Sequence, residues 1–165
     1  MEAPRTPGST LVRAADRLPS VLLDGDMIPA TCLTEADLRL LPQYPARAQL
    51  RCSGSGIREH AFTGPLLYDV AVSAEPGAVP DVRKDRARFL VSVTGADGHQ
   101  AVLSWAEVDP DFARHPVVLA ICRDGVALEL CGPQLVVPYD RCGSRYVSTV
   151  THIWIGAQRD AEVAR

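Results

Sequence analysis

Residues Val117–Asp140, VVLAICRDGVALELCGPQLVVPYD, decide the fold. Val117 to Ile121 is an unbroken apolar run of strand length, too short for a buried helix. Asp124-Gly125 then supplies the dipeptide that favours a two-residue hairpin. Gln134 to Val137 forms a second run, stopped by Pro138. Apolar runs flanking a tight turn must be buried in a packed sheet. A little further on, Arg145–Ile155, RYVSTVTHIWI, alternates or runs apolar throughout and reads as one long final strand.

Working outward, the same punctuation recurs about every ten residues. Phe89–Val108, FLVSVTGADGHQAVLSWAEV, reads as two strands joined around Asp97-Gly98. SVLLDGDMIPA, from Ser20, reads as a strand, a turn at Asp24-Gly25 and a second strand. ARAQLRCS, from Ala46, alternates with Ala46, Ala48, Leu50 and Cys52 on one face. Helices are few. CLTEADLRLLP has Thr34 as its cap, Glu35 and Asp37 in the first turn and Pro42 as its stop. TGPLLYDVAVSA reads as a second helix, with Thr63 as cap and Pro65 in the first turn. The expected class is α+β, a β-rich mixed sheet or barrel-like domain.

The chain has 165 residues, 47% hydrophobic and 22% charged, the balance of a single ordinary globular domain. We expect a loose arm over residues 1–20, one domain over 21–157 and a frayed tail over 158–165. With 17 basic and 20 acidic residues the formal charge is −3, so no face is built for nucleic acid. No stretch approaches the ~20 apolar residues that span a bilayer, and no apolar run follows a basic start. The expected address is cytoplasmic, without membrane contact. The Arg-, Ala- and Pro-rich composition fits a high-GC bacterial genome.

Five cysteines, Cys32, Cys52, Cys122, Cys131 and Cys142, are irregularly spaced and form no CxxC pair. That excludes a disulfide framework or structural zinc site as the default reading and leaves most of them as small buried hydrophobes. No P-loop, HExxH or GxSxG sequence occurs. Cys52 ends an apolar run and is followed by Ser53-Gly54-Ser55-Gly56. It is either a metal ligand or a buried thiol before a glycine turn. His115, before a proline, and His152, within an alternating strand, read as structural.

Six segments in fixed order carry a family resemblance: LTEADLRLLP, FTGPLLYDV, VSVTGADGHQAVLSWAEVDPDF, VVLAICRDGVAL, GPQLVVPYD and GSRYVSTVTHIWI. From about Leu33 to Ile155 the chain resembles the small relatives of the sulfite-oxidase-type molybdopterin-binding domain. The resemblance implies a molybdenum-pterin cofactor, with Cys52 as the protein's thiolate ligand and Ser53 and Gly54 leaving room beside it. Small, soft-ligand surroundings of this kind suit a high-valent metal. It also implies Arg141 and Arg145 as cofactor phosphate contacts. His99 stands where the family has an active-site tyrosine, and is either a pocket residue or an exposed turn residue. His60 either lines the same cavity or is solvated.

Two family cations are replaced, by Gln134 after Gly132-Pro133 and by Ser148 after Arg145-Tyr146-Val147. Each charge-assisted bond lost to a phosphate is worth ~1.5–3 kcal/mol. Three readings follow. The first is a small molybdopterin-dependent oxidoreductase that transfers oxygen or electrons, works on a small molecule and needs a separate electron acceptor. The second is a cofactor-free acid–base catalyst of isomerisation or cyclisation, with His99 and His60 as acid or base and Tyr139, Asp140 or Tyr146 as polar partners. The third is a non-catalytic binding module. An oligomer is compatible with each.

Overall fold

A computed structural model describes residues 19–159 apart from 53 and 55, with the backbone alone at Cys52. Ser53, the arm up to residue 18 and the tail from residue 160 lie outside the described residues. The elements run β1 (Ser20–Gly25), β2 (Thr31–Thr34), α1 (Glu35–Leu40), β3 (Tyr44–Cys52), β4 (Gly56–Gly64), α2 (Leu67–Ala74) and α3 (Arg83–Arg86). They continue with β5 (Phe89–Gly95), β6 (Gln100–Ser104), α4 (Trp105–Val108), β7 (Val118–Ala120), β8 (Cys122–Arg123) and β9 (Val126–Ala127). The last are β10 (Gln134–Val136), a 3-10 turn over Arg141–Gly143, and β11 (Val150–Ala157).

The described residues form three sheets: β2-β1-β11-β5-β6, β3-β4-β8-β9 and the ribbon β10-β7. Among the described residues only β1 and β11 pair in parallel, with Leu22 opposite His152 and Gly25 opposite Ile155. The expected α+β, sheet-rich class holds. No helix among the described residues is long and apolar enough to cross a membrane.

The unbroken apolar run that opened the sequence reading is explained by its place. In β7 and the residue after it, Leu119 and Ile121 face the main core with Val21, Leu23, Val91, Val93, Ile153 and Ile155. Val118 and Ala120 face the second core with Ala46, Ala48, Leu50 and Phe62. In β10, Leu135 and Val136 divide in the same way. The β10-β7 ribbon is therefore the wall between two cores, which is why neither face of it carries a polar alternation. Gly64 brings β4 against this wall: a Cβ there would stand 2.2 Å from the Leu119 carbonyl oxygen.

The Asp124-Gly125 hairpin forms as expected, with φ of 50° and 80°, the paired positive values of a type I′ turn. The β5-β6 hairpin turns at Ala96–Gly98, where Gly98 has φ 83°. Thr34 caps α1 in a capping box with Asp37. Its hydrogen bonds hold the Asp37 carboxyl below its ordinary value. Thr34→Ala should cost about 1 kcal/mol of stability, read as a lower urea midpoint; an unchanged midpoint would mean that the cap contributes nothing.

Four local expectations are corrected. Asp24 and Gly25 are the end of β1 and not a turn. Gly25 lies so close to β11 that a Cβ would sit 1.8 Å from the Ile155 oxygen, and the bend falls on the residues after it. Thr63 does not cap α2; it is a strand residue of β4 opposite Cys122. The helix begins after Leu66, because the Leu67 N–H is taken by the Val117 carbonyl at 2.8 Å and not by a side-chain cap. The final strand starts at Val150 and not at Arg145, since Thr149 has φ 48° and breaks the run. Gly56–Gly64, not expected as a strand, form β4 and make the Cys52 segment the end of a β3-β4 hairpin, with Cys52 opposite Gly56.

Candidate active site

α4 follows β6 directly and is fixed by a second capping box: the Ser104 N–H and hydroxyl both donate to Glu107 Oε2, at 2.8 and 3.0 Å. That holds Glu107 at the start of a cleft. From the other side, β10 delivers Pro138, Tyr139 and Asp140, and the 3-10 turn folds the chain back so that Arg145 meets Asp140. Gly143, with φ 64°, allows this return: a Cβ there would stand 2.4 Å from Leu50 Cδ2 of β3.

Arg145 is the centre of the arrangement. Its Nε and Nη2 donate to Asp140 Oδ2 and Oδ1 at 2.9 and 2.8 Å, a two-pronged pair. Its Nη1 donates to Glu107 Oε1 at 2.6 Å, and its backbone N–H also donates to Asp140 at 3.1 Å. The Arg145 hydrogen bond holds the Asp140 carboxyl below its ordinary value. Burial alone would push Glu107 up, but Arg145 and the Ser104 donors outweigh it and hold that carboxyl down as well. Both carboxylates are therefore ionised at neutral pH. Two negative charges face one guanidinium.

Above this trio lies a cleft of about 110 Å³ with apolar walls at Ala113, Pro116, Val117 and Val137 and rings from His115 and Tyr139. The two rings lie against each other, 3.9 Å between centroids and tilted by 44°. Tyr139 stays 64% exposed. Neither its hydroxyl nor either ring nitrogen of His115 takes a hydrogen bond from the described residues. His115 also borders a second cleft of about 100 Å³, with Tyr44, Leu66 and Arg114. Tyr139 and Asp140 border a wider depression of about 380 Å³, with Arg47, Glu59 and Arg141.

The structure brings Tyr139, Asp140 and Arg145 together, while Arg141 lines only the adjoining depression. Tyr146 lies apart, 6.3 Å between its ring centroid and that of Phe62. His99 is exposed in the β5-β6 turn, its backbone N–H donating to Asp97 Oδ1 at 2.9 Å. His60 has both ring nitrogens occupied, Nδ1 by Asp124 at 2.7 Å and Nε2 by Arg123 at 2.8 Å. It ties β4 to the β8-β9 hairpin. His152 pairs with Asp24 across β11 and β1 at 2.8 Å. Cys52 ends β3; Gly54, with φ 83°, lies in the turn beyond it. Glu107 was not singled out from sequence, and His115 was read there as structural. The Ser104-x-x-Glu107 box was visible there as a capping signal; His115 carried no signal beyond its place before a buried strand.

At Gln134, Arg145 and Ser148 the residues do not fit a pterin phosphate. Of the two cations that the resemblance assigns to it, Arg145 gives three of its five N–H donors to two carboxylates, and Arg141 lines the adjoining depression. Gln134 is buried in β10 opposite Ala120 with its Oε1 unpartnered, a neutral amide where the resemblance expects a cation. Ser148 offers only an exposed hydroxyl. Among the described residues no group of three or more His, Cys, Asp and Glu side chains could hold a metal ion, and the Cys52 side chain lies outside them.

With the geometry in view, the fold can be compared. It resembles that of the sulfane dehydrogenase SoxCD from Paracoccus pantotrophus. The TM-score is 0.62 at 20% identity, over 84% of this chain. The chain spans 38% of the length of that SoxCD chain, and the likeness to it is one of fold. No family model matches the sequence, and no curated protein does.

Proposed function

We propose that the chain is a cofactor-free acid–base catalyst acting on a small organic substrate in the cleft beside His115. One observation carries this reading: of the four histidines, His115 alone lines the clefts described and keeps both ring nitrogens uncommitted. Imidazole is the side chain whose ordinary titration falls near neutrality, so it can both take and return a proton there. Tyr139, with a free hydroxyl, is the polar group beside it. The Glu107–Arg145–Asp140 trio is a fixed, ionised floor; its carboxylates are held charged and are poor proton donors. A proton removed from one substrate carbon and returned to another, or to a ring-closing heteroatom, needs no external oxidant, in keeping with isomerisation or cyclisation.

A second reading, a molybdenum-pterin oxidoreductase with Cys52 as ligand, is supported by the place of Cys52 at the end of β3 and by the fold it shares with a dehydrogenase. The two separate on one measurement, the molybdenum content of the protein purified from molybdate-supplemented, pterin-competent cells. The acid–base reading expects far less than one molybdenum per chain, unchanged by Cys52→Ser. Near-stoichiometric molybdenum that is lost in Cys52→Ser would overturn it and establish the second reading.

A further inference from the structure

His60 lines none of the clefts described above, and its partners fix where its proton sits. Its Nε2 lies 2.8 Å from Arg123 Nη2. A guanidinium has donors only, so Nε2 accepts through its lone pair and carries no hydrogen. The single N–H of the neutral ring is therefore on Nδ1, which donates to Asp124 Oδ2 at 2.7 Å. The ring is largely enclosed, with 14% of the side chain exposed. It meets Phe62 edge-on, and the Arg123 guanidinium lies over the same Phe62 ring, 5.9 Å from its centroid. Arg123 Nε is 3.8 Å from Asp124, too long for a hydrogen bond. His60 is thus the one hydrogen-bond partner of that guanidinium among the described residues.

These contacts tie down a small element. β8 and β9 have two residues each, and β8 joins β4 through two register pairs, Phe62 with Arg123 and Thr63 with Cys122. Asp124 adds to them: its N–H donates to the Ala61 carbonyl at 2.7 Å, and its carboxylate accepts the Ala61 N–H at 2.9 Å. A second proton on His60 must go to Nε2, where the new N–H points at a cation. The charged ring still attracts Asp124 but repels Arg123. No other charge nearby offsets this. Arg58, on the same face of β4, is a further cation. Glu59, on the other face, is paired with Arg47 of β3 at 3.0 Å, and the β3 residue opposite His60 is the uncharged Ala48. We propose that His60 is a proton-operated latch. Neutral, as the Nδ1–H tautomer, it holds Arg123 and the β8-β9 hairpin against β4; protonated, it keeps Asp124 and lets Arg123 go. The latch is closed above the ordinary imidazole range and opens as pH falls through it.

Nitrogen-15 nuclear magnetic resonance of the imidazole and guanidinium groups in the full chain tests this. Near pH 8 the Nδ1–H tautomer of His60 should exceed the Nε2–H form about tenfold, the weight of one hydrogen bond to a charged group. The Arg123 Nη signals should then be separate and protected from exchange with water. Near pH 5 the ring should carry both protons, the Arg123 Nη signals should merge through free rotation, and amide protection across the β8-β9 hairpin should fall. His60→Gln places a carbonyl acceptor and an N–H donor about where the two ring nitrogens stand and does not titrate. It should keep the Arg123 signals separate at both pH values. An Nε2–H tautomer near pH 8 in the unaltered chain would overturn the proposal without any variant. So would Arg123 signals that stay separate near pH 5 once His60 is doubly protonated, or that merge equally in the His60→Gln chain.

Discussion

Asp109→Ala should lower the unfolding free energy by about 3–5 kcal/mol, the range found when one partner is removed from a buried charged network. Asp109 is fully buried just after α4. Its Oδ2 accepts from the Trp105 indole N–H at 2.8 Å and from Arg86 Nη1 at 2.7 Å, and its Oδ1 accepts the Asp111 N–H at 2.9 Å. Removing the carboxylate leaves a buried indole donor without an acceptor and a shielded guanidinium without one of its counter-charges. Trp105, fully buried and 5.8 Å from Tyr68 between ring centroids, would lose its orientation. Urea unfolding followed by tryptophan fluorescence checks this. Asp109→Asn should be milder, since its amide oxygen can still accept from Trp105. Equal stability of wild type and both variants would show that the network is incidental.

Arg145→Met should cost about 2 kcal/mol at pH 7, below the range for a fully buried pair because the Glu107 side chain is 43% exposed and solvent screens it. The effect depends on pH in a defined direction. Asp140 and Glu107 titrate lower in the folded chain than their ordinary values. The stability that they gain from Arg145 is thus fully present above the ordinary carboxylate range, ~4, and is lost as pH falls through the depressed folded values. The gap between wild type and Arg145→Met should be widest near neutrality and should narrow as pH falls below the ordinary carboxylate range. Urea midpoints at pH 7 and pH 3 decide it. A gap that stays constant would mean that the guanidinium acts through packing and not through charge.

What the sequence displays well is what short-range chemistry dictates. Thr34 and Asp37 sit three residues apart and cap each other, so the start of α1 is legible. Asp124-Gly125 needs two positive φ values and supplies them, so the hairpin is legible too. The apolar run at Val118–Ala120 announces burial on two faces, and the ribbon between two cores provides it. The errors have an equally physical origin. Thr63 looks like a cap because it precedes a helix, but the backbone of β7 takes the donor that a cap would have served. Arg145–Thr149 continues the alternation of β11 on paper, yet the positive φ at Thr149 ends the strand there.

The candidate site was half legible. Tyr139, Asp140 and Arg145 lie within one short segment that the family resemblance brings forward. Glu107 lies 38 residues before Arg145 and nothing local announces their contact. His115 resembles any histidine before a proline; its open ring nitrogens are a property of the surrounding walls. His60 shows the reverse, since a histidine following Arg58 and Glu59 reads as available until Asp124 and Arg123 are seen to hold both its nitrogens.

The placement of β11 has a consequence for how the molecule is assembled. This strand, formed by residues 150–157, stands in the middle of the five-stranded sheet, between β1 from the other end of the described chain and β5. Until it arrives, β1 and β5 each expose an unsatisfied backbone edge, and Val21, Leu23, Val91 and Val93 have no cover from Ile153 and Ile155. A nascent chain therefore holds β2-β1, and then β5-β6 as well, as unjoined half-sheets until β11 follows. The sheet closes in one late step that joins residues more than a hundred positions apart, a slow, high-contact-order event in which partner strands from neighbouring chains compete with the native one.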